Sequence, residues 1–127
     1  MKTPIIVGLL ASMFTIGIAN AAPPRLSVVL NSSVDYQCAD KTKLTVKYYS
    51  LSDKSLGFIK IKIGAQAEQT LPESISGSGA KFSDLRSLTW WTKGNKGDVY
   101  LSNDGPEDSW PLAHTECVAL PHRKTKS

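Results

Sequence analysis

Cysteine is scarce in this chain of 127 residues, with Cys38 and Cys117 and no other. A multi-bridge scaffold is therefore excluded, and so is any metal site built on several thiolates. Histidine is as rare, with His114 and His122 alone, and neither falls in a recognisable triad pattern with a serine and an acid. No stretch shows a sustained helical period, and after residue 21 no run is apolar enough to cross a membrane. Charge of one sign is also missing. The formal net charge is +4, but Lys2 and the tail residues Arg123, Lys124 and Lys126 account for all of it. Between Ala22 and His122, 11 basic residues face 11 acidic ones, so there is no basic groove of the kind a nucleic-acid partner requires.

The one long apolar run is N-terminal. Lys2, the run from Ile5 to Ile18 and the small residues of Ala19-Asn20-Ala21 have the layout of a secretory signal, with cleavage expected after Ala21. The run is shorter than the roughly 20 residues that span a bilayer, so stable membrane insertion is not expected. Ala22, Pro23 and Pro24 follow the cleavage point, where a lipoprotein would need cysteine. These features predict residues 1–21 as a cleaved signal, 22–122 as one domain and 123–127 as a basic, flexible tail, in a protein released into the periplasm. In that oxidising compartment Cys38 and Cys117 are expected to pair with each other. The loop so closed, about 80 residues, corresponds to on the order of 4 kcal/mol in the chain-entropy model.

The domain itself reads as all-β. Lys43 to Tyr49 alternates polar and larger residues, and Phe58 to Ile63 alternates isoleucine with lysine, as strands with one wet face do. Ser50 to Gly57 reads as a loop, and Gly64-Ala65-Gln66 as a break. Further strands are expected over Val34–Cys38, Gln66–Leu71, Ala80–Phe82, Ser87–Thr92, Asp98–Leu101 and His114–Ala119, and Asn95-Lys96-Gly97 reads as a hairpin turn. Seven or eight short antiparallel strands fit a closed barrel or a two-sheet sandwich, of which the barrel is preferred.

Two segments between the cysteines stand out: Ser76-Gly77-Ser78-Gly79-Ala80-Lys81-Phe82 and Trp90-Trp91-Thr92-Lys93-Gly94. Together with Tyr36-Gln37-Cys38, Leu44-Thr45-Val46-Lys47-Tyr48, Leu71-Pro72 and the closing Cys117, they arrive in an order that resembles the bacterial inhibitors of c-type lysozyme, over roughly Val34 to Val118. Without a lipoprotein cysteine the chain is more similar to the periplasmic branch. The resemblance implies a small eight-stranded antiparallel barrel closed by one disulfide, no cofactor and no metal, with c-type lysozyme as partner. It further implies that the two segments enter the lysozyme cleft. Ser78 and Lys93 would be the inhibitory contacts, and Ser76, Gly77, Gly79, Ala80, Lys81, Phe82, Trp91, Thr92 and Gly94 the supporting loops. The chain departs from the family at Phe82, where tyrosine is usual, at Gly97-Asp98, and in spacing around Leu85 to Ser87.

Adjacent strand residues point to opposite sides, so Trp90 and Trp91 cannot both be core. If Trp91 faces outward it shares a face with Lys93. Trp110, in the turn-rich Ser102 to Pro111, is either a lid over one barrel end or a second exposed aromatic. Two alternative functions remain open at this level: a periplasmic glycan-binding module stacking sugars on exposed tryptophans, and a structural protein of the envelope. An enzyme fits least, since the acidic residues are scattered and no catalytic motif is complete.

Overall fold

The computed structural model describes residues 25–121, together with the isolated positions Pro4, Gly8 and Gly17. The expected signal sequence, its cleavage point, His122 and the basic tail lie outside the described residues. Eight strands run in chain order: β1 (Val28–Gln37), β2 (Lys43–Leu51), β3 (Gly57–Ile63), β4 (Gln69–Ser74), β5 (Ala80–Ser83), β6 (Leu88–Lys93), β7 (Lys96–Leu101) and β8 (Leu112–Ala119). Each pairs antiparallel with the next, and β1 pairs with β8 to close the barrel.

The isoleucine–lysine alternation of β3 does what a period of two requires. Ile59, Ile61 and Ile63 enter the barrel, while Lys60 and Lys62 stay outside. Val46, Leu71, Leu88, Trp90 and Val99 join them, all wholly or nearly wholly buried. Polar atoms inside this core are paired. Trp90 Nε1 donates to the Tyr48 hydroxyl at 3.1 Å, and the Tyr36 and Tyr48 hydroxyls lie 2.8 Å apart. Burial, and then the bond to Tyr48, pushes the Tyr36 hydroxyl well above the ordinary tyrosine range. Gly97, on the neighbouring strand β7, lies directly beneath the large Trp90 ring. A Cβ at that position would collide with the indole, so glycine there makes room for core packing.

Several boundaries differ from the sequence reading. β1 begins at Val28 rather than Val34, because β2 extends to Leu51 and supplies it with a partner. β4 starts at Gln69, three residues late, since Gly64 at φ +55 and the turn after it consume Ala65 to Glu68. The β6–β7 turn is Gly94-Asn95, not Asn95 to Gly97, and Lys96 and Gly97 already belong to β7. Gly94 takes φ +60, which lets a two-residue hairpin follow the strand twist.

The β5–β6 connection is organised by one carboxylate. Asp84 Oδ1 accepts the N–H groups of Arg86, Ser87 and Leu88 at 2.9, 2.8 and 3.1 Å, and Oδ2 accepts the Ser87 hydroxyl. Partial burial opposes ionisation, but these donors outweigh it and lower the pKa from 3.8 to about 2. A carboxylate depressed in the folded state contributes stability that is complete above its unfolded pKa. Thermal unfolding followed across pH should therefore show Tm falling as pH drops from about 4 towards 2. Asp84→Asn should flatten that slope, and an identical slope in the variant would refute the assignment.

Candidate functional site

Alternate connections of an up-and-down barrel emerge at the same end, so the β4–β5 loop and the β6–β7 turn are neighbours. Ala80 pairs with Thr92, which brings the chain just before Ala80 alongside the residues just after Thr92. Gly79 makes the contact. It sits at φ +68, and a Cβ there would strike the Thr92 carbonyl oxygen and Lys93 Cγ. Glycine is thus needed twice over, for its backbone angle and for the close approach. The two segments singled out in sequence form one tip.

Polar contacts stiffen the tip. Ser76 Oγ lies 3.0 Å from both the Ser78 and Gly79 carbonyl oxygens. Trp91 Nε1, from the neighbouring strand, donates to the Ser78 carbonyl at 2.8 Å. That bond settles the tryptophan question: Trp90 fills the core, and Trp91 lies on the outer wall with Lys93. The Ser78 hydroxyl itself makes no hydrogen bond among the described residues, and Ser78 is exposed. Gly77 is in open space.

Two ammonium groups sit over the Trp91 ring, Lys81 Nζ at 5.4 Å and Lys93 Nζ at 5.5 Å from its centroid. Cation–π attraction of this kind is worth about 0.5 to 1 kcal/mol at exposed sites. The two lysines differ in what else they touch. Lys81 is paired with Glu107 Oε1 at 2.6 Å, and that carboxylate also accepts Thr89 Oγ1 at 3.2 Å. Lys93 has no carboxylate within salt-bridge distance among the described residues. Glu107 therefore offsets one charge and leaves the other, on an exposed side chain beside Ser78. Of the two lysines over Trp91, Lys93 is the one without a carboxylate partner among the described residues.

Not every residue of the two segments faces this surface. Phe82 is buried in the core against Tyr48, with ring centroids 5.9 Å apart, so its lack of a hydroxyl removes nothing from the tip. Thr92 also points inward and donates to the Lys96 carbonyl at 2.9 Å. Asp98 braces the adjacent strand: its Oδ1 accepts Thr115 Oγ1 at 3.0 Å and the N–H of Glu116 at 2.9 Å, where β7 and β8 slip register and Glu116 takes φ +49. Trp110 is neither a lid over the barrel mouth nor an exposed aromatic. It is buried outside the main core, beside Thr89, Trp91 and Tyr100 on the outer wall, with Nε1 donating to the Gly105 carbonyl at 2.9 Å.

The sequence reading missed Glu107 and Tyr100. Glu107 lies 26 residues from Lys81, in a short 3₁₀ turn of the β7–β8 connection that folds back along the outer wall, and no local pattern announces such a pair. His114 Nδ1 contacts Asp40 Oδ2 at 2.7 Å, and Asp40 belongs to the β1–β2 turn at the opposite end of the barrel from Ser78. Among the described residues, the histidine His114 is thus turned to Asp40 and makes no hydrogen bond with Ser78.

A family model described as membrane-bound lysozyme-inhibitor of c-type lysozyme matches residues 36–108, more than half of the chain and both segments of the tip. The chain belongs to this family of lysozyme inhibitors. A relative in Pseudomonas aeruginosa, the membrane-bound lysozyme inhibitor of C-type lysozyme, is 35% identical over 84 residues. The match takes in 66% of this chain and 64% of that protein's length, so this chain spans a little under two thirds of the relative. Among solved structures, the crystal structure of Pseudomonas aeruginosa MliC in complex with hen egg white lysozyme superposes with a TM-score of 0.57. It covers 79% of this chain and 91% of that one at 24% identity, a likeness of fold. The closed barrel, the Cys38–Cys117 disulfide and the paired loops are all present in this chain.

Proposed function

We propose that this protein is a periplasmic inhibitor of c-type lysozyme, not itself an enzyme, that blocks the catalytic cleft with the tip carrying Ser78 and Lys93. The observation that carries this reading is the Lys93 ammonium, without an ion pair among the described residues and held over Trp91, while the same indole anchors the Ser78 loop. Lysozyme works with one protonated and one ionised carboxyl group. Lys93 supplies a charge for the ionised one. Ser78, whose hydroxyl both donates and accepts, suits a carboxyl in either state. No bond is made or broken in this scheme, and inhibition is occlusion.

A tip fixed before binding loses little conformational freedom on entering the cleft. Gly79, Ser76 and the Trp91 bond provide that order in the free protein. A glycan-binding role would need an open indole face, and two lysines already stand over Trp91.

The test is lysis of bacterial cell walls by hen egg white lysozyme in the presence of the purified protein. Lysis should be suppressed in proportion to added protein, and Ser78→Ala should weaken suppression several-fold, as expected for one hydrogen bond worth about 0.5 to 1.5 kcal/mol. Full lysis at saturating protein would overturn the proposal.

A further inference from the structure

The β6–β7 hairpin turns on Gly94 and Asn95, and the residues on either side of that turn are both lysine. Lys93 and Lys96 are register partners. Residues directly opposite each other in an antiparallel pair project from the same face, with Cβ atoms about 4.5 to 5.5 Å apart, and like charges so placed destabilise the pairing. Both lysines are exposed, and both stand with Trp91 along one groove of the outer wall. The backbone gives Lys96 no escape from this position, since its carbonyl accepts Thr92 Oγ1 at 2.9 Å and Gly97 after it is held against Trp90. The hairpin is therefore folded against its own electrostatics.

Among the described residues, no carboxylate lies within salt-bridge distance of either lysine. The acids that share their groove are Asp98, two residues beyond Lys96 on the same face of β7, and Glu116 on β8. Asp98 commits Oδ1 to the Thr115 hydroxyl and the Glu116 N–H, and neither acid pairs with Lys96. Lys81, one strand away, shows the opposite arrangement, with Glu107 at 2.6 Å. The unpaired charges are also placed in order. Gly79 abuts Lys93 Cγ on the β5 side, and Lys96 lies on β7, so Ser78, Lys93 and Lys96 follow one another across the tip. Two ammonium groups with Asp98 and Glu116 in the same groove make no field for a polyanion. What they match is discrete carboxylates.

We propose that Lys96 is a further contact to c-type lysozyme, taking a carboxylate at the rim of the catalytic cleft, beyond the ionised carboxyl that Lys93 meets. The inference rests on the reading of the tip as the part that blocks the cleft. An anion brought to Lys96 does two things at once: it pairs with that ammonium, and it screens the repulsion between Lys96 and Lys93 that the free protein carries. Lys96 thus costs the free inhibitor stability and contributes in the complex. Stability and affinity should respond to its removal with opposite signs. A lysine that merely supported the hairpin would move both in the same direction. Lys96 also acts as a specificity residue, because a lysozyme without an acid at that part of the rim gains nothing from it and leaves the repulsion in place.

The experiment measures inhibition of hen egg white lysozyme and Tm on the same preparations of the wild type, Lys96→Ala, Lys96→Glu and Lys93→Ala. Lys96→Ala should weaken inhibition about 3- to 10-fold, mostly through slower association and with a shallower salt dependence than the wild type. Its Tm at low ionic strength should rise, by about 1 to 5 °C, and the rise should shrink as salt is added. Lys96→Glu should raise Tm further, since it faces Lys93 with an opposite charge, yet inhibit less well than Lys96→Ala. Inhibition by Lys96→Ala equal to or better than the wild type, with Lys93→Ala still impaired, would overturn this inference and leave the cleft-blocking reading standing. Weaker inhibition accompanied by a lower Tm would also overturn it, by giving Lys96 a structural role. Wild-type protein that leaves lysis complete would remove both.

Discussion

Lys93→Ala is expected to weaken inhibition of hen egg white lysozyme by about 2 to 5 kcal/mol, roughly 30- to 5,000-fold, the usual effect of truncating one partner of a buried charge pair. In the free protein the side chain gives up little, since Lys93 is exposed and its neighbour Lys81 keeps its own pairing to Glu107. Stability should therefore change by no more than the loss of one exposed cation–π contact, about 0.5 to 1 kcal/mol. The prediction is a separation of the two readouts, with affinity strongly reduced and Tm nearly unchanged. Isothermal titration against lysozyme, with calorimetric Tm on the same samples, measures both. Arginine at this position is a useful control. It preserves charge but replaces a compact ammonium with a planar fork, so partial rescue would show that charge matters more than shape. Wild-type affinity in Lys93→Ala would remove Lys93 from the contact.

Removing the Cys38–Cys117 bridge by a double serine substitution is expected to cost about 2 to 5 kcal/mol, with Tm falling by on the order of 10 °C or more. Two effects act together. The bridge spans 79 residues of sequence, so its loss frees a large part of the unfolded chain. It also lies at the barrel's seam. β1 and β8 share two register pairs, Tyr36 with Ala119 and Gln37 with Val118, flanked by the hydrogen bonds from Leu120 to Asp35 and from Ala39 to Thr115. Every other pair of neighbouring strands except β4 and β5 has four or more register pairs. The amides of Ala39 and Leu120 should accordingly exchange faster with solvent in the variant than those between β2 and β3. An unchanged Tm, or exchange that rises uniformly, would show that the bridge is not what holds the seam.

The same seam explains why two halves of the chain were unequally legible. β2 and β3 could be read from residues 43–49 and 58–63 because alternation on a half-wet sheet is a local property, visible in one strand at a time. The first six residues of β1 could not. Val28 to Ser33 is strand because β2 continues to Leu51 opposite it, and nothing within Val-Val-Leu-Asn-Ser-Ser alternates to a core face. The β6–β7 turn was misplaced by one residue for a related reason. Asn95-Lys96-Gly97 has turn composition, but Gly97 is required inside the barrel against Trp90, and the turn falls on Gly94 and Asn95 instead.

By itself the sequence determined the all-β class, the identity of the bridge and the two segments that form the tip. Each of these follows from composition, local period or motif order. The tertiary structure alone decided which tryptophan is core and which is surface, because strand alternation says that Trp90 and Trp91 diverge without saying where the inside lies. It also decided that Lys93, rather than Lys81, carries the free charge. That outcome depends on Glu107, brought back along the outer wall by a connection between β7 and β8 that has no periodicity to read. Long-range pairing of this kind is a property of the closed barrel, where residues far apart in the chain become neighbours across a wall.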